Sequence, residues 1–325
     1  MPNVAIIGSG LIGRAWAAIF ARAGWQVALW DAVAAQRTVA VGLIAAQLDD
    51  MAANGLADDP AAAKNRLRMA TSLADAVASA DFVQECGPEL LDAKRALFAE
   101  LDAVAKPDVV LASSTSAIVP SQFTEGLAGR ARCLVGHPVN PPHLVPVVEI
   151  CGAPWTSDAA KARAREVYAA IGQVPITVNK EIDGFILNRL QAALLTEAFR
   201  LVQEGYVSPA DLDHTVADGL GLRWSFMGPF ETIELNAPEG IADYCRRYGP
   251  FFRRTLERQP TQAVWDDDNV QKVADAFGST PTAATVAAKS QWRDQRLAKL
   301  AVHKRGQGTQ KPIADGRLYG HGEKI

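Results

Sequence analysis

The sequence lacks the features that mark membrane, secreted or nucleic-acid-binding proteins. No apolar run approaches the roughly 20 residues that a transmembrane helix requires. The apolar segment that begins at Val4 passes directly into glycines, without the basic leader of a signal peptide. The formal net charge of -3 gives no electrostatic reason to bind nucleic acid or an anionic membrane. These absences predict a soluble globular protein whose partner is a small molecule, with no nucleic acid and no membrane.

Cysteine and histidine are scarce and scattered. The 4 cysteines and 5 histidines show neither the spacing of a metal-ligand motif nor that of a redox motif. Reduced, partly buried thiols are typical of a cytoplasmic protein. We therefore predict a cytoplasmic protein that binds no metal.

Short β-branched segments alternate with helical stretches in the first half of the chain. This alternation predicts βαβ units and a mainly parallel sheet. The predicted strands are residues 4–7, 26–30, 81–85, 109–113, 133–136, 147–151 and 175–178. A long Ala-rich segment, residues 34–65, is broken near Asn54 and predicts an inserted helical hairpin.

The pattern changes after residue 179. Apolar residues, starting with Phe185, then recur at helical spacing, Gly205 is placed to end that helix, and Ser208 with Pro209 to begin the next. We therefore predict an α/β protein with an N-terminal Rossmann-type doubly wound sheet in residues 1–182. An all-helical C-terminal domain follows in residues 183–325, and its tail after about residue 304 is predicted to be mobile.

The first predicted strand runs into a G-x-G-x-x-G motif that opens the following helix. Gly8 permits the tight turn, Gly10 lets the backbone approach a pyrophosphate, and Gly13 lets helix and strand pack closely. The amides of the helix N-terminus, at Leu11 and Ile12, face the phosphates. A glycine-rich turn in an unrelated α/β domain is the alternative, which the strand–turn–helix context disfavours.

Asp31 indicates which dinucleotide binds. It ends the second predicted strand roughly 20 residues after Gly8, where an acid accepts hydrogen bonds from the ribose hydroxyls. A carboxylate there repels a 2′-phosphate, and no arginine follows it directly, since Arg37 is several residues on. The predicted cofactor is NAD rather than NADP.

Two ionisable residues of the strand segments could perform acid–base chemistry. His137 directly follows a predicted strand, and Glu149 lies among apolar residues inside another. A buried glutamate needs a cationic or hydrogen-bonding partner, and imidazole suits proton removal from an alcohol near neutral pH. On the pattern alone, a structural histidine and a strand-end glutamate remain equally good interpretations.

Several separated segments together resemble the 3-hydroxyacyl-CoA dehydrogenase family, and the resemblance extends to about residue 304. The similar segments are residues 8–13, 85–94, 112–116, 137–141, Glu149 and 184–189. Agreement at several separated places is more specific than any one motif.

The resemblance implies roles for individual residues. It implies that His137 is the general base, that Glu149 orients it, and that Ser116 and Asn188 hydrogen-bond the substrate oxygen. It also implies a homodimer formed through the helical domain. Contacts to the cofactor or the adjoining substrate are implied for Glu89, Lys94, Ser116 and Asn140.

Within the family, the sequence is most similar to the branch that contains L-gulonate 3-dehydrogenase and lambda-crystallin. The similar segments are residues 138–142, 180–185, 208–213 and 218–224. The last contains Arg223 before Trp224, a pair that the acyl-CoA enzymes of the family lack. An arginine binds a free carboxylate through two parallel hydrogen bonds. A structural salt bridge of Arg223 is the alternative. Trp224 in place of tyrosine, His143 in place of an aromatic residue, and the extra tail depart from the pattern.

These residues predict NAD-dependent oxidation of the 3-hydroxyl of a free hydroxy acid. The alternative enzyme is a 3-hydroxyacyl-CoA dehydrogenase. The alternative outside catalysis is an NADH-binding structural protein, because one member of the branch serves in the lens.

Overall fold

The computed structural model describes residues 1–256, 260–278 and 280–307, and the backbone of residues 311–312 and 318–319. The described chain divides into two compact units. The first comprises Met1–Leu187 and the described residues from Lys289 onward, and the second comprises Asn188–Ala288. Most of the predicted mobile tail lies outside the described residues.

The first unit is built around one eight-stranded sheet. Its strands are β1 (Asn3–Ile7), β2 (Gln26–Trp30), β3 (Leu67–Met69), β4 (Phe82–Glu85), β5 (Val110–Ser113), β6 (Cys133–Pro138), β7 (Val147–Gly152) and β8 (Val174–Val178). Their order across the sheet is β3-β2-β1-β4-β5-β6-β7-β8. All neighbours run parallel except β6 and β7, which are antiparallel. The strand order changes direction between β1 and β4, where open α/β sheets bind their ligands.

Helices cover both faces of this sheet. They are α1 (Leu11–Arg22), α2 (Ala34–Ala53), α3 (Pro60–Lys64), α4 (Leu73–Val77), α5 (Leu91–Val104), α6 (Ser121–Thr124) and α7 (Asp158–Ala170), with a short 3-10 helix at Arg130–Arg132. Helices α2 and α3 are the predicted hairpin, and the chain turns between them at Gly55 with a φ of 72°.

Alternate residues of the central strands supply two hydrophobic cores. Val4 and Ile6 of β1 pack into one core with Trp16, Phe20 and Tyr168. The other face packs Ala5, Ile7, Phe98, Phe123 and Phe185. Both faces are apolar because a parallel sheet with helices on both sides is shielded from water on each. The doubly wound sheet predicted from the sequence is confirmed.

The second unit is helical, as predicted. Its helices are α8 (Leu187–Gln203), α9 (Pro209–His214), a π-helix (Thr215–Leu220), α10 (Gly221–Trp224), α11 (Pro229–Glu234), α12 (Gly240–Thr255), a 3-10 helix (Gln262–Trp265), α13 (Asp267–Ala276) and the start of α14 (Ala283–Gly306). The described residues between 188 and 288 contain no strand. Two-residue strands β9 (Lys311–Pro312) and β10 (Leu318–Tyr319) pair with each other farther on.

Helix α14 joins the two units. The domain predicted for residues 183–325 includes all of this helix, but its residues from Lys289 onward belong to the first unit. Ala298 is buried in the first hydrophobic core, and Leu297 and Ala301 pack against it. Apolar periodicity predicts which face of a helix is buried but not which domain buries it. The helices described here include none with the length and apolar character of a bilayer span.

Candidate active site

The glycine-rich turn between β1 and α1 is shaped by close backbone approaches. Gly8 has a φ of 100°, and a Cβ atom on it would lie 2.5 Å from the carbonyl oxygen of Cys86. A Cβ on Gly13 would collide with the carbonyl oxygen of Gly8. A Cβ on Gly10, by contrast, would meet no described protein atom within 4 Å. Gly8 and Gly13 are therefore required by the packing of the protein, whereas Gly10 leaves open space where a ligand can approach the backbone.

That open space lies at the N-terminus of α1. Gly10 is the N-cap of the helix, and no side chain of the described protein caps it. The first amides of a helix have no partner within the helix, and they carry partial positive charge. The side chain of Leu11, the first helical residue, is 63% exposed. An uncapped helix start beside a glycine gap fits the pyrophosphate of a dinucleotide.

Asp31 lies beside this turn, directly after β2. Its Oδ2 accepts hydrogen bonds from Ser9 N at 2.6 Å and Ser9 Oγ at 2.9 Å. Its Oδ1 accepts one from Val33 N at 2.8 Å. The carboxylate is thus fixed in place, next to the glycine turn. The guanidinium of Arg37 donates to the carbonyl oxygens of Asp31 and Ala32. The fold thus brings a cation close to Asp31, although no arginine directly follows Asp31 in the sequence.

His137 and Glu149 are paired by the antiparallel register of β6 and β7. His137 Nδ1 lies 2.8 Å from Glu149 Oε2, and both side chains are buried. An ionised carboxylate can only accept, so Nδ1 carries the hydrogen, and in the neutral form of the ring this leaves Nε2 as an acceptor. The pair lies at the edge of the sheet where β1, β4, β5 and β6 end.

The second oxygen of Glu149 is also bound. Oε1 accepts hydrogen bonds from Ile186 N at 2.8 Å and Leu187 N at 3.0 Å. Burial by itself would raise the pKa of Glu149, but the hydrogen bonds from His137 and the two amides outweigh it and hold the pKa below its usual value. Glu149 is therefore an anion that faces His137.

Ser116 lies on a loop that Glu89 holds. Glu89 Oε1 accepts hydrogen bonds from Ser116 N and Ala117 N, each at 3.0 Å, and from the hydroxyl of Thr115. Ser116 itself is exposed and follows β5, the neighbour of β6 in the sheet. The structure thus places the predicted Glu89 and Ser116 in one cluster.

Lys94 is buried in an ion pair. Its Nζ lies 3.1 Å and 3.0 Å from the two carboxylate oxygens of Glu85, and 3.9 Å from Glu89. Glu85 also accepts from Ser113 Oγ at 2.5 Å and Gly87 N at 2.6 Å. Only 1% of Lys94 is exposed. Its predicted contact with the cofactor stays a prediction, and its observed partners are the two glutamates.

Three further predicted residues, Asn140, Asn188 and Arg223, lie on other segments of the chain. Asn140 is exposed and follows β6. Asn188 is the second residue of α8 and, like Arg223 of α10, belongs to the second unit. The side chain of Arg223 is exposed and forms no salt bridge with any residue that the structure describes. No cluster of three or more potential metal ligands occurs in the described parts of the chain.

Sequence reasoning missed the residues that hold the site together. The amides of Ile186 and Leu187 donate from the backbone and carry no sequence signal. Glu85 had one, because a glutamate at the end of an apolar strand needs a buried partner. As for Glu149, burial of Glu85 predicts a cationic or hydrogen-bonding partner, and the structure shows that this partner is Lys94.

Comparisons with known proteins identify the family. Family models for the 3-hydroxyacyl-CoA dehydrogenase NAD binding domain and C-terminal domain match residues 3–182 and 184–273. The chain is 44% identical over 308 residues to lambda-crystallin of Oryctolagus cuniculus, covering 93% of this chain and 96% of that one. It is 37% identical over 306 residues to L-carnitine dehydrogenase of Pseudomonas putida, covering 93% of each.

A solved structure extends the comparison to three dimensions. It is that of 5-formyl-3-hydroxy-2-methylpyridine 4-carboxylic acid 5-dehydrogenase, described as an NAD+ dependent dismutase. The TM-score is 0.81 at 29% identity, over 95% of this chain and 99% of that one. The chain therefore belongs to the 3-hydroxyacyl-CoA dehydrogenase family and is an NAD-dependent oxidoreductase.

Proposed function

We propose that this protein oxidises the 3-hydroxyl group of a free hydroxy acid, as an enzyme of the L-gulonate 3-dehydrogenase type. The observation that carries the proposal is the buried contact between His137 Nδ1 and Glu149 Oε2, at 2.8 Å. This contact leaves Nε2 of His137 to act on a substrate hydroxyl.

In this mechanism, Nε2 of His137 takes the hydroxyl proton as the carbon–hydrogen bond breaks. Bound NAD supplies the acceptor for the hydride. Glu149 stabilises the imidazolium that forms, because it stays ionised when buried. Ser116 and Asn188 donate hydrogen bonds to the substrate oxygen and orient it for the transfer.

Arg223 supports a free acid as the substrate. A short hydroxy acid brings a carboxylate that must be neutralised when it leaves water, and a guanidinium does so with two parallel hydrogen bonds. Arg223 is exposed and has no salt bridge to another described residue, which weakens the alternative of a structural ion pair. L-carnitine, named in one relative, is itself a free 3-hydroxy acid.

A comparison of substrates with purified protein tests the proposal. We expect NADH formation from L-gulonate, L-3-hydroxybutyrate or L-carnitine, with kcat/KM higher than for L-3-hydroxybutyryl-CoA. A preference for the CoA ester would instead favour a 3-hydroxyacyl-CoA dehydrogenase. NADH binding without turnover of any of these compounds would favour a structural role.

Arg223→Met tests the substrate-binding group separately. We expect KM for the free acid to rise by a factor equivalent to about 2 to 4 kcal/mol, with much less change for a CoA-linked substrate. Arg246→Met is the matched control, since Arg246 is an exposed arginine of α12 that already pairs with Glu239. Equal losses toward both classes of substrate would make Arg223 structural.

The proposal also includes a cytoplasmic location. It is supported by the four cysteines, which are all free although Cys133 and Cys151 are buried in neighbouring strands. Burial raises the pKa of both thiols to about 12, which keeps them protonated and unreactive.

A further inference from the structure

Glu149 is held from two sides, and the turn at residues 184–187 supplies one of them. The carboxylate is fully buried, and its Oε1 has two amide donors from that turn, Ile186 and Leu187. A buried carboxylate that lost them would face the cost of unmade hydrogen bonds. The orientation of Glu149 toward His137 thus depends on where these amides lie.

The turn has an unusual backbone. Gly184 has a φ of 75° and Phe185 a φ of 50°, and Phe185 N donates to Ile182 O at 3.1 Å. A left-handed conformation is easy for glycine but unfavourable for a phenylalanine. Phe185 keeps it because its side chain is fully buried in the second hydrophobic core. The conformation that aims the two amides at Glu149 is therefore stabilised by the burial of one side chain.

The same side chain contacts the histidine. The rings of Phe185 and His137 have centroids 5.4 Å apart and an interplanar angle of 35°. Phe185 thus contacts His137 through its ring and acts on Glu149 through the amides that follow it.

We propose that Phe185 is a positioning residue for the His137–Glu149 pair. It fixes the imidazole by ring contact and fixes the carboxylate by holding the turn that donates to it. This inference rests on the proposed role of His137 as the base, but not on the free acid as substrate.

The competing explanation is that Phe185 only fills the core. The two explanations differ in what a small change of shape does. A core residue replaced by leucine lowers stability and leaves the catalytic step unchanged. A positioning residue replaced by leucine lowers kcat even in folded protein, because small displacements of a catalytic group are costly.

Phe185→Leu is therefore compared with Phe123→Leu. Phe123 is buried in the same core, where its ring lies 4.7 Å from that of Phe98, and it makes no ring contact with His137 in the described structure. We expect Phe185→Leu to lower kcat by about ten- to a hundredfold, with KM and the Kd for NADH changed by less than about threefold. We also expect the dependence of its kcat on pH to differ from that of the wild type. Phe123→Leu should retain both kcat and the profile.

The assays use whichever 3-hydroxy substrate the wild type oxidises best, at 10 °C if a variant is unstable. Phe185→Met is a second variant that preserves more volume. Equal kcat and equal pH profiles for the Phe185 and Phe123 variants would overturn the inference, as would failure of both Phe185 variants to fold with NADH present. If His137→Gln keeps the wild-type rate, the proposed function fails instead. If His137→Gln is inactive and the Phe185 variants match the control, only the inference fails.

Discussion

At the residue scale, the properties of His137 follow from what each ring nitrogen contacts. Nδ1 donates to the buried carboxylate of Glu149, so Nε2 is the acceptor in the neutral ring. We predict that His137→Gln lowers kcat by about two to four orders of magnitude, because the hydroxyl proton loses its acceptor. The Kd for NADH, measured by fluorescence titration, should be nearly unchanged.

Glu149→Gln accompanies that variant as a test of the carboxylate. It keeps the size of the side chain but removes the charge that supports an imidazolium, so a severe loss of kcat is expected. A His137→Gln variant with more than a tenth of the wild-type rate would remove His137 from the role of base.

The second prediction at this scale concerns Asp31 and the choice of cofactor. Its fixed carboxylate repels a 2′-phosphate, and Arg37 is held beside its carbonyl oxygen. We predict that the wild type prefers NAD and that Asp31→Ala narrows the preference, since NAD loses a hydrogen-bond acceptor while NADP loses a repulsion. Ratios of kcat/KM for the two cofactors measure this. Adding Arg37→Ala to Asp31→Ala should abolish the relative increase in kcat/KM for NADP. Equal kcat/KM of the wild type for both cofactors would contradict the prediction.

At the element scale, the sequence predicted strands better than turns. The predicted strands appear because β-branched apolar segments are typical of buried parallel strands. The missed β3 is a three-residue edge strand, Leu67–Met69, and contains no β-branched residue. Apolar spacing also assigned Phe185 to a helix, but α8 begins at Leu187. Spacing reports burial, and the left-handed backbone of Phe185 depends on tertiary contacts that spacing does not report.

The site shows the same division. His137 and Glu149 were recognisable by residue type, and the resemblance assigned their roles. The donors to Glu149 Oε1 are backbone amides, which every residue except proline has, so only the folded chain identifies them. Lys94 was assigned to the cofactor by the resemblance, whereas its ion pair with Glu85 depends on burial.

The loop that follows β6 gives a prediction on acid stability. His143 contacts Gln47 of α2 at 3.0 Å, and burial lowers its pKa to about 4, with Arg22 and Arg293 adding to the effect and Asp294 opposing it. The unfolded chain therefore binds a proton between pH 6.5 and about 4 that the folded chain does not. The contribution of His143 to the free energy of unfolding is therefore complete above pH 6.5. It decreases by at most about 3 kcal/mol as the pH falls to 4.

Urea unfolding at pH 7 and pH 4.5 measures this loss. His143→Gln should reduce the loss, because glutamine can bind Gln47 and does not titrate. His214→Gln is the control: His214 is an exposed histidine of α9 whose pKa is raised by a hydrogen bond to Asp218, so its removal should not reduce the acid loss. Equal losses in the wild type and His143→Gln would contradict the assignment.

At the scale of the whole molecule, the helical unit exposes many large apolar side chains. Helix α8 has the apolar spacing of a buried helix, yet Val202 is its one fully buried residue in the described structure. Leu190 is 65% exposed, and Leu194 and Leu195 are more than a third exposed. Phe230 and Phe251, in the same unit, are also exposed. Such a surface fits a second copy of this chain, because a homodimer buries the same surface on both subunits.

We therefore predict a homodimer at micromolar concentration, with a mass by light scattering of twice the 34.7 kDa chain. Replacing Leu190 and Leu194 together with glutamate should yield monomers, because burying two carboxylates in an apolar interface is unfavourable. Leu43→Glu is the control, since Leu43 is a comparably exposed leucine of α2 in the first unit, and it should leave the dimer intact. A monomeric wild type would contradict the prediction. If the α2 variant dissociates and the α8 variant does not, the protein is still a dimer, but its interface lies on the first unit.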